Sequence, residues 1–144
     1  MKIQAVLLAC VLIGCAAPQS GSQNAPPLQL EGSKWSLATA TDSQGVIGAL
    51  VNKPGKPVAI AFEKGRVGIS EACNHMGGAY TLTGSTLKVE RMMSTRMACE
   101  PALMKAEAEI GRQIEGSSKA EMAGDQLVLK TAQGATLSFD RNQG

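Results

Sequence analysis

Three pairs of short segments with alternating apolar and polar residues constrain the fold of this chain more than any other feature. Alternation with a period of two is typical of a β-strand that has one buried face. The runs 79–83 and 86–89 are separated only by Gly84 and Ser85, which is the loop length of a β-hairpin, and glycine in first position suits a type II′ turn. The sequence therefore predicts an antiparallel sheet built from hairpins.

The other two predicted hairpins lie on either side of this one along the chain. The first pairs 58–62 with 66–69, and the last pairs 126–130 with 136–139. The apolar residues expected to face the core are Val58, Ile60, Phe62, Leu87, Val89, Leu127, Leu129, Leu137 and Phe139. Residues 35–37 show the same alternation, whereas the segment 46–51 is apolar but interrupted by glycine, so its structure stays open.

One segment, residues 101–115, has the apolar periodicity of a helix. Pro101 suits its first turn and Gly116 its end. Leu103, Glu107, Ile110 and Ile114 fall on one helical stripe, with Ala106 beside it. The predicted fold class is α+β: a curled, partly barrel-like antiparallel sheet of about seven or eight short strands, packed on one α-helix.

Glutamates on this helix offer no clear acid–base pair. Glu107 lies on the apolar stripe and is interpreted as its rim, rather than as a partly buried carboxylate with a partner. Glu100, Glu109 and Glu115 have the spacing of a solvated face, on which Glu109 pairs weakly with Arg112.

The first fourteen residues have the pattern of a bacterial signal peptide. Lys2 precedes an apolar run of about eleven residues, which is shorter than the roughly twenty that span a bilayer. The motif Leu12-Ile13-Gly14-Cys15 resembles the lipobox of bacterial lipoproteins. This resemblance implies that the Cys15 thiol carries a diacylglycerol and its amine a further acyl chain, which together hold a protein stably on a membrane.

The predicted organisation is therefore a signal peptide at 1–14, a lipidated tether at 15–29 and one domain at 30–142. The tether is rich in proline and small polar residues and contains no charge. Ala16 stands where lipoproteins of the inner membrane often carry Asp. We therefore expect an outer-membrane lipoprotein that faces the periplasm.

Charge and composition argue against a nucleic-acid partner. The net charge is only +2, and the chain contains one Trp, one Tyr and two Phe. A clustered basic face and a set of aromatic stacking residues are both missing from the sequence.

Cys73 and Cys99 remain once Cys10 is assigned to the leader and Cys15 to lipid. Export exposes thiols to an oxidising compartment, so we expect a disulfide between Cys73 and Cys99. A metal pair and a reactive thiol are the alternatives. The wide spacing does not match the usual zinc motifs, and a nucleophilic pair with His75 would require a free Cys73 thiolate. His75 is interpreted as a surface loop residue, and no catalytic residue, cofactor or resident metal is expected.

Methionine is frequent after the leader: Met76, Met92, Met93, Met97, Met104 and Met122. These residues are interpreted as core filler in a protein with few aromatics. The alternative is a soft-metal site, because thioethers bind Cu(I).

Several of these residues together resemble the META domain of HslJ-like proteins. The residues that carry the resemblance are Trp35-Ser36-Leu37, Cys73-Asn74, Tyr80, Thr95-Arg96-Met97-Ala98-Cys99, Glu107, Leu127-Val128-Leu129, Gly134 and Leu137-Ser138-Phe139. The match runs from about residue 29 to 140, and Ala72 departs from it, since the family usually has glycine there. The resemblance implies a curled antiparallel sheet with one helix, placement in the cell envelope and, in some members, a link to stress and drug tolerance. It implies no catalytic residues.

The expected function is that of a non-enzymatic envelope lipoprotein that binds a partner, with the sheet face or edge as the contact surface, or supports envelope integrity. The alternative is a periplasmic module that binds a small molecule or a metal such as copper. The expected partners are the membrane, through Cys15, and an envelope protein.

Overall fold

The computed structural model describes residues 26–142. The predicted signal peptide 1–14, the lipid site Cys15 and most of the tether 15–29 lie outside these residues. The described part contains ten strands and two helices. In chain order they are β1 (Ser33–Asp42), β2 (Gly45–Val46), α1 (Gly48–Val51), β3 (Ala59–Glu63), β4 (Arg66–Ser70), β5 (Met76–Thr83), β6 (Thr86–Val89), β7 (Met93–Ser94), α2 (Pro101–Ile114), β8 (Gly116–Ala123), β9 (Gln126–Thr131) and β10 (Thr136–Arg141).

Eight of the strands form a closed antiparallel barrel in the order β1-β3-β4-β5-β6-β8-β9-β10. The last strand pairs with the first, with Leu37 opposite Phe139, so the barrel closes on itself. Strands β2 and β7 are additional and pair with β1 and β5. The predicted curled, barrel-like antiparallel sheet is thus confirmed. Closure removes the exposed strand edges that an open sheet would leave.

Strand β1 is much longer than the predicted run 35–37, because its residues Ser33 to Ser36 pair with β3 and its residues Trp35 to Thr41 pair with β10. Its register with β10 shifts between Leu37 and Thr39. The shift makes Leu37 and Ala40 both buried although they are three residues apart. Such a bulge bends a strand and increases its twist, as closing a barrel requires.

The nine apolar residues expected to face the core do so, and each of them is at most 2 % exposed. In the run 79–83, Tyr80 and Leu82 pack against the core partly buried. The two-residue hairpin loop is also confirmed, since Thr83 pairs with Thr86 and Gly84 has φ +60°. Helix α2 ends at Ile114, and Gly116 follows with φ +94°. Ile110 and Ile114 belong to the same hydrophobic core as the barrel strands.

Helix α1 is a single turn within the segment that the sequence left open. Its Leu50 is buried, and the turn contacts both β1 and α2.

Candidate functional site

Asn74 is a buried polar residue at the point where the chain enters β5. Its Nδ2 donates to Glu107 Oε2 at 2.9 Å and to the Met97 carbonyl at 3.3 Å. Its Oδ1 accepts from the Met97 amide at 2.8 Å and from Thr95 Oγ1 at 3.0 Å. One side chain thus joins the segment that carries Met97 to helix α2.

Glu107 completes this group, which we call the Asn74 cluster: Asn74, Ser94, Thr95, Met97 and Glu107. The Glu107 carboxylate also accepts from the Asn74 amide at 2.7 Å and from Ser94 Oγ at 2.8 Å. The interpretation of Glu107 as the rim of the helix stripe is therefore wrong. It is a half-buried carboxylate whose donors come from residues distant in sequence, so helical periodicity could not reveal them.

A disulfide between Cys73 and Cys99 lies beside this cluster, with a Cα–Cα distance of 5.7 Å. Asn74 Nδ2 approaches the Cys73 Sγ at 3.3 Å. His75 is exposed, as predicted for a surface loop, and its main chain exchanges hydrogen bonds with Thr95. Because both sulfurs are bonded, Cys73 provides no thiolate nucleophile beside His75 in this structure. The disulfide instead joins two loops.

Two adjoining depressions form a groove between helix α2 and the segments 74–76 and 92–98. The part along the helix, which we call the inner groove, has a volume of about 330 Å³ and includes Met76, Ala108 and Gly111. The part along the segment 92–98, which we call the outer groove, has about 650 Å³ and includes Met93 and Arg96. Both parts are lined by Asn74, Met97, Met104 and Glu107.

The methionine side chains fill the core less than the sequence suggested. Met76 and Met92 do pack against it, partly buried. Met93, Met97 and Met104 are 79 %, 60 % and 50 % exposed, and all three line the groove. Core filling is thus the wrong interpretation for these three and for Met122, which is 41 % exposed on β8. Periodicity could not assign the first two, because they lie in a segment with almost no regular structure.

Gly111 explains how the inner groove is formed beside a helix. A Cβ at this position would lie 2.8 Å from the Cε methyl of Met76. Glycine inside a helix costs about 1 kcal/mol relative to alanine, and here its missing side chain gives the Met76 thioether direct access to the helix backbone. The sequence analysis missed Gly111, although glycine within a helical pattern signals such a close approach.

The remaining helix glutamates do not form the expected solvated face. Glu115 accepts from the Met92 amide at 2.8 Å. Glu109 bonds both Arg112 and the buried Gln113, so the predicted pair with Arg112 is present in a wider network. Of this set, Glu100 is exposed, whereas Glu109 and Glu115 are partly buried. The Glu115 contact further connects the groove segment to the end of α2.

Among residues 26–142, no cluster of three or more His, Cys, Asp or Glu side chains could hold a metal ion. The helices in this part of the chain are too short or too polar to cross a membrane. The polar groups of the Asn74 cluster are hydrogen-bonded to one another. The arrangement is therefore suited to holding the groove open, with its thioethers as the chemically distinctive surface.

These features define a small closed β-barrel with a methionine-lined groove, beside which a disulfide joins Cys73 to Cys99. The chain belongs to the META domain family, whose family model matches residues 28–144. No curated protein is similar enough to count as a match.

Solved structures share the fold at low sequence identity. An NMR structure of a protein from Burkholderia xenovorans has a TM-score of 0.65 and 22 % identity, covering 90 % of this chain and 99 % of that one. A second NMR structure has a TM-score of 0.58 and 23 % identity, covering 78 % and 91 %. The crystal structure of a DUF4847 family protein from Bacteroides vulgatus has a TM-score of 0.52 and 14 % identity, covering 80 % and 96 %.

Proposed function

We propose that this protein is a non-enzymatic, HslJ-like lipoprotein of the cell envelope, anchored through Cys15 to the outer membrane and facing the periplasm. In this proposal its META domain binds an apolar segment of another envelope protein in the inner groove. The observation that carries the proposal is the Asn74 cluster, which holds the Met97 segment against α2 so that the groove exists without a ligand. A preformed site avoids the ordering cost that flexible loops incur on binding.

The lining of the inner groove suits an apolar partner segment. Met76, Met97 and Met104 contribute unbranched thioether side chains, which adapt to irregular apolar surfaces. On the helix side, Ala108 has a small side chain and Gly111 has none, so little protrudes from the helix into the groove. The polar lining residues already have partners within the chain: Asn74 bonds Glu107, Glu115 bonds the Met92 amide and Arg112 bonds Glu109. The methionine and alanine surface is therefore the part of the lining that is left for an apolar segment, with Arg112 and Glu115 as a polar end of the groove.

The predicted tether favours a partner in the envelope. Fifteen residues from Cys15 to residue 29 span at most about 50 Å when fully extended. A domain lipidated at Cys15 therefore stays within that distance of the membrane. Its partner would be a protein, or part of one, that reaches the same layer.

Site-specific photocrosslinking in cells tests the docking site. A photoreactive residue at Ala108, exposed in the inner groove, should give a discrete crosslinked product. The matched control is the same residue at Lys119, exposed on β8. The product should disappear with Cys15→Ala, since the domain then leaves the membrane. An identical product from Lys119, or none from Ala108, would contradict the docking proposal.

Mass spectrometry of the purified protein tests the anchor separately. The expected N-terminal residue is Cys15 with attached acyl chains. An unlipidated chain that begins at Met1 would exclude the proposed anchor.

A further inference from the structure

Three exposed methionine side chains line the outer groove, and a fourth, Met92, lines it but packs against the core, partly buried. Met93, Met97 and Met104 line this one depression, and each side chain is at least half exposed. They come from three local settings: strand β7, the segment that follows it and the first turn of α2. Exposed apolar side chains that form one contiguous group often mark a binding surface, whereas singly scattered ones do not.

The backbone on which each of these methionines stands is fixed. Met93 pairs with Gly77 of β5. The Met97 amide donates to Asn74 Oδ1 at 2.8 Å, and the Met104 amide donates to the Glu100 carbonyl at 3.1 Å. Three anchored positions therefore carry three flexible side chains, each with a soft thioether sulfur next to its terminal methyl group, along one open depression.

We infer that Met93, Met97 and Met104 form a thioether site for a soft monovalent metal ion, Cu(I) or Ag(I). Thioether sulfur is a soft ligand that favours such ions over Zn²⁺, Mg²⁺ or Ca²⁺, which prefer nitrogen, thiolate or oxygen. The three ligands carry no proton that binding must displace. The Glu107 carboxylate lines the same space and supplies negative charge near the ion, whereas Arg96 opposes it from an exposed position.

His75 does not belong to this site. It lines a different depression, together with Lys34 and Ser70. The inferred ligand set thus consists of sulfur alone, and His75 becomes a control. Met122 is a second control, because it is an exposed methionine on β8, beyond the groove.

The experiment titrates Ag(I), which needs no reductant, into the full chain labelled with ¹³C in the methionine methyl groups. Cys10 and Cys15 are replaced by Ser so that no free thiol competes with the methionines for the ion. One equivalent should shift the methyl signals of Met93, Met97 and Met104 and leave that of Met122 in place. Native mass spectrometry should find one ion per chain.

Three variants complete the test. Met97→Leu keeps volume and exposure but removes the sulfur, so the one-ion species should be lost. Met122→Leu and His75→Ala should retain it. Binding lost with His75→Ala, shifts that are equal at Met122, or no shift at all would each overturn the inference. Cu(I) kept reduced with ascorbate should reproduce the Ag(I) pattern.

The inference does not rest on the docking proposal. Ala108 belongs to the inner groove and Met93 to the outer groove. Met93→Leu should weaken Ag(I) binding and leave the crosslink from Ala108 unchanged. Each proposal can therefore fail while the other stands.

Discussion

The amide side chain of Asn74 is a main anchor of the segment 90–100. This segment has only the two-residue strand β7 as regular structure, so few backbone bonds fix it. Asn74 supplies the missing ties through both ends of its amide, to the Met97 backbone and to Glu107. Sequence reasoning singled out the Cys73-Asn74 motif only through its family resemblance, because hydrogen bonds between distant segments leave no periodic signal.

Asn74→Ala should lower the free energy of unfolding by about 2–3 kcal/mol. The change removes several hydrogen bonds and leaves the Met97 amide and Glu107 short of partners, and each buried unsatisfied group costs about 1–3 kcal/mol. Urea unfolding measures the effect. Asn142→Ala is the matched control, because Asn142 is exposed and its side chain accepts one bond, from Ser36 Oγ at 2.7 Å. Equal losses in both variants would contradict the role given to Asn74.

Glu31 should make stability depend on pH. Its pKa is lowered from the usual 4.5 by hydrogen bonds from the Lys64 amide, then the Gly65 amide, then the Tyr80 hydroxyl. A carboxylate with a depressed native pKa adds stability above its unfolded value, and this is lost as pH falls through the native value. Glu31→Gln should therefore be less stable than the parent at pH 7, and the difference should shrink under acid.

Urea midpoints between pH 7 and pH 2.5 measure this trend. Glu63→Gln is the control, because the ion pair that the Glu63 carboxylate makes among the described residues is with the Lys64 ammonium, at 3.7 Å and on the surface. The hydrogen bond between Glu31 and Tyr80 also affects Tyr80. The pKa of Tyr80 is raised to about 12 by partial burial and then by this bond. Glu31→Gln should thus let Tyr80 ionise at lower pH. A pH-independent difference between Glu31→Gln and the parent would refute the assignment.

At the scale of the elements, local pattern predicted the hairpins and α2 well and β1 poorly. The hairpin strands have strict alternation and short turns, so neighbours in sequence define them. Strand β1 has partners at residues 59–62 and 136–141 and contains a bulge. Its length depends on those distant strands, and its alternation breaks at the bulge. Helix α1 follows the same logic, since contacts with α2 and β1 stabilise a turn that is too short to be stable alone.

The disulfide should contribute about 3 kcal/mol, because it closes a loop with a sequence separation of 26 between its cysteines. The double variant Cys73→Ser/Cys99→Ser should unfold at correspondingly lower urea. Reductant should bring the parent down to the same midpoint and leave the double variant unchanged. A parent insensitive to reductant would show that the bond contributes nothing in solution.

At the scale of the whole molecule, the two ends of the described chain complete the barrel. Strands β1 and β10 pair along six residue positions, and the Asn142 amide then donates to the Lys34 carbonyl. The sequence predicted curling but not closure, because both the open and the closed sheet need the same hairpins. Whether the first strand meets the last is decided by total twist and shear.

Closure should appear in native-state hydrogen exchange. Amides that bond across the β1–β10 seam should exchange only through global unfolding, since no free edge exists from which this seam can fray. Strands β2 and β7, each two residues long, should exchange faster. A seam that exchanges as fast as β2 would indicate that the barrel opens locally.

The position of the disulfide limits how the groove can move. Residues 73–99 form one covalent ring, which contains every groove residue except those on α2 and Glu115 at its C-terminal end. The helix begins two residues after Cys99 and is held by Ile110 and Ile114 in the core. Widening the groove would require the whole of helix α2 to move across the core residues on which it packs. Recognition at this face should therefore select ligands by shape, with little backbone adjustment.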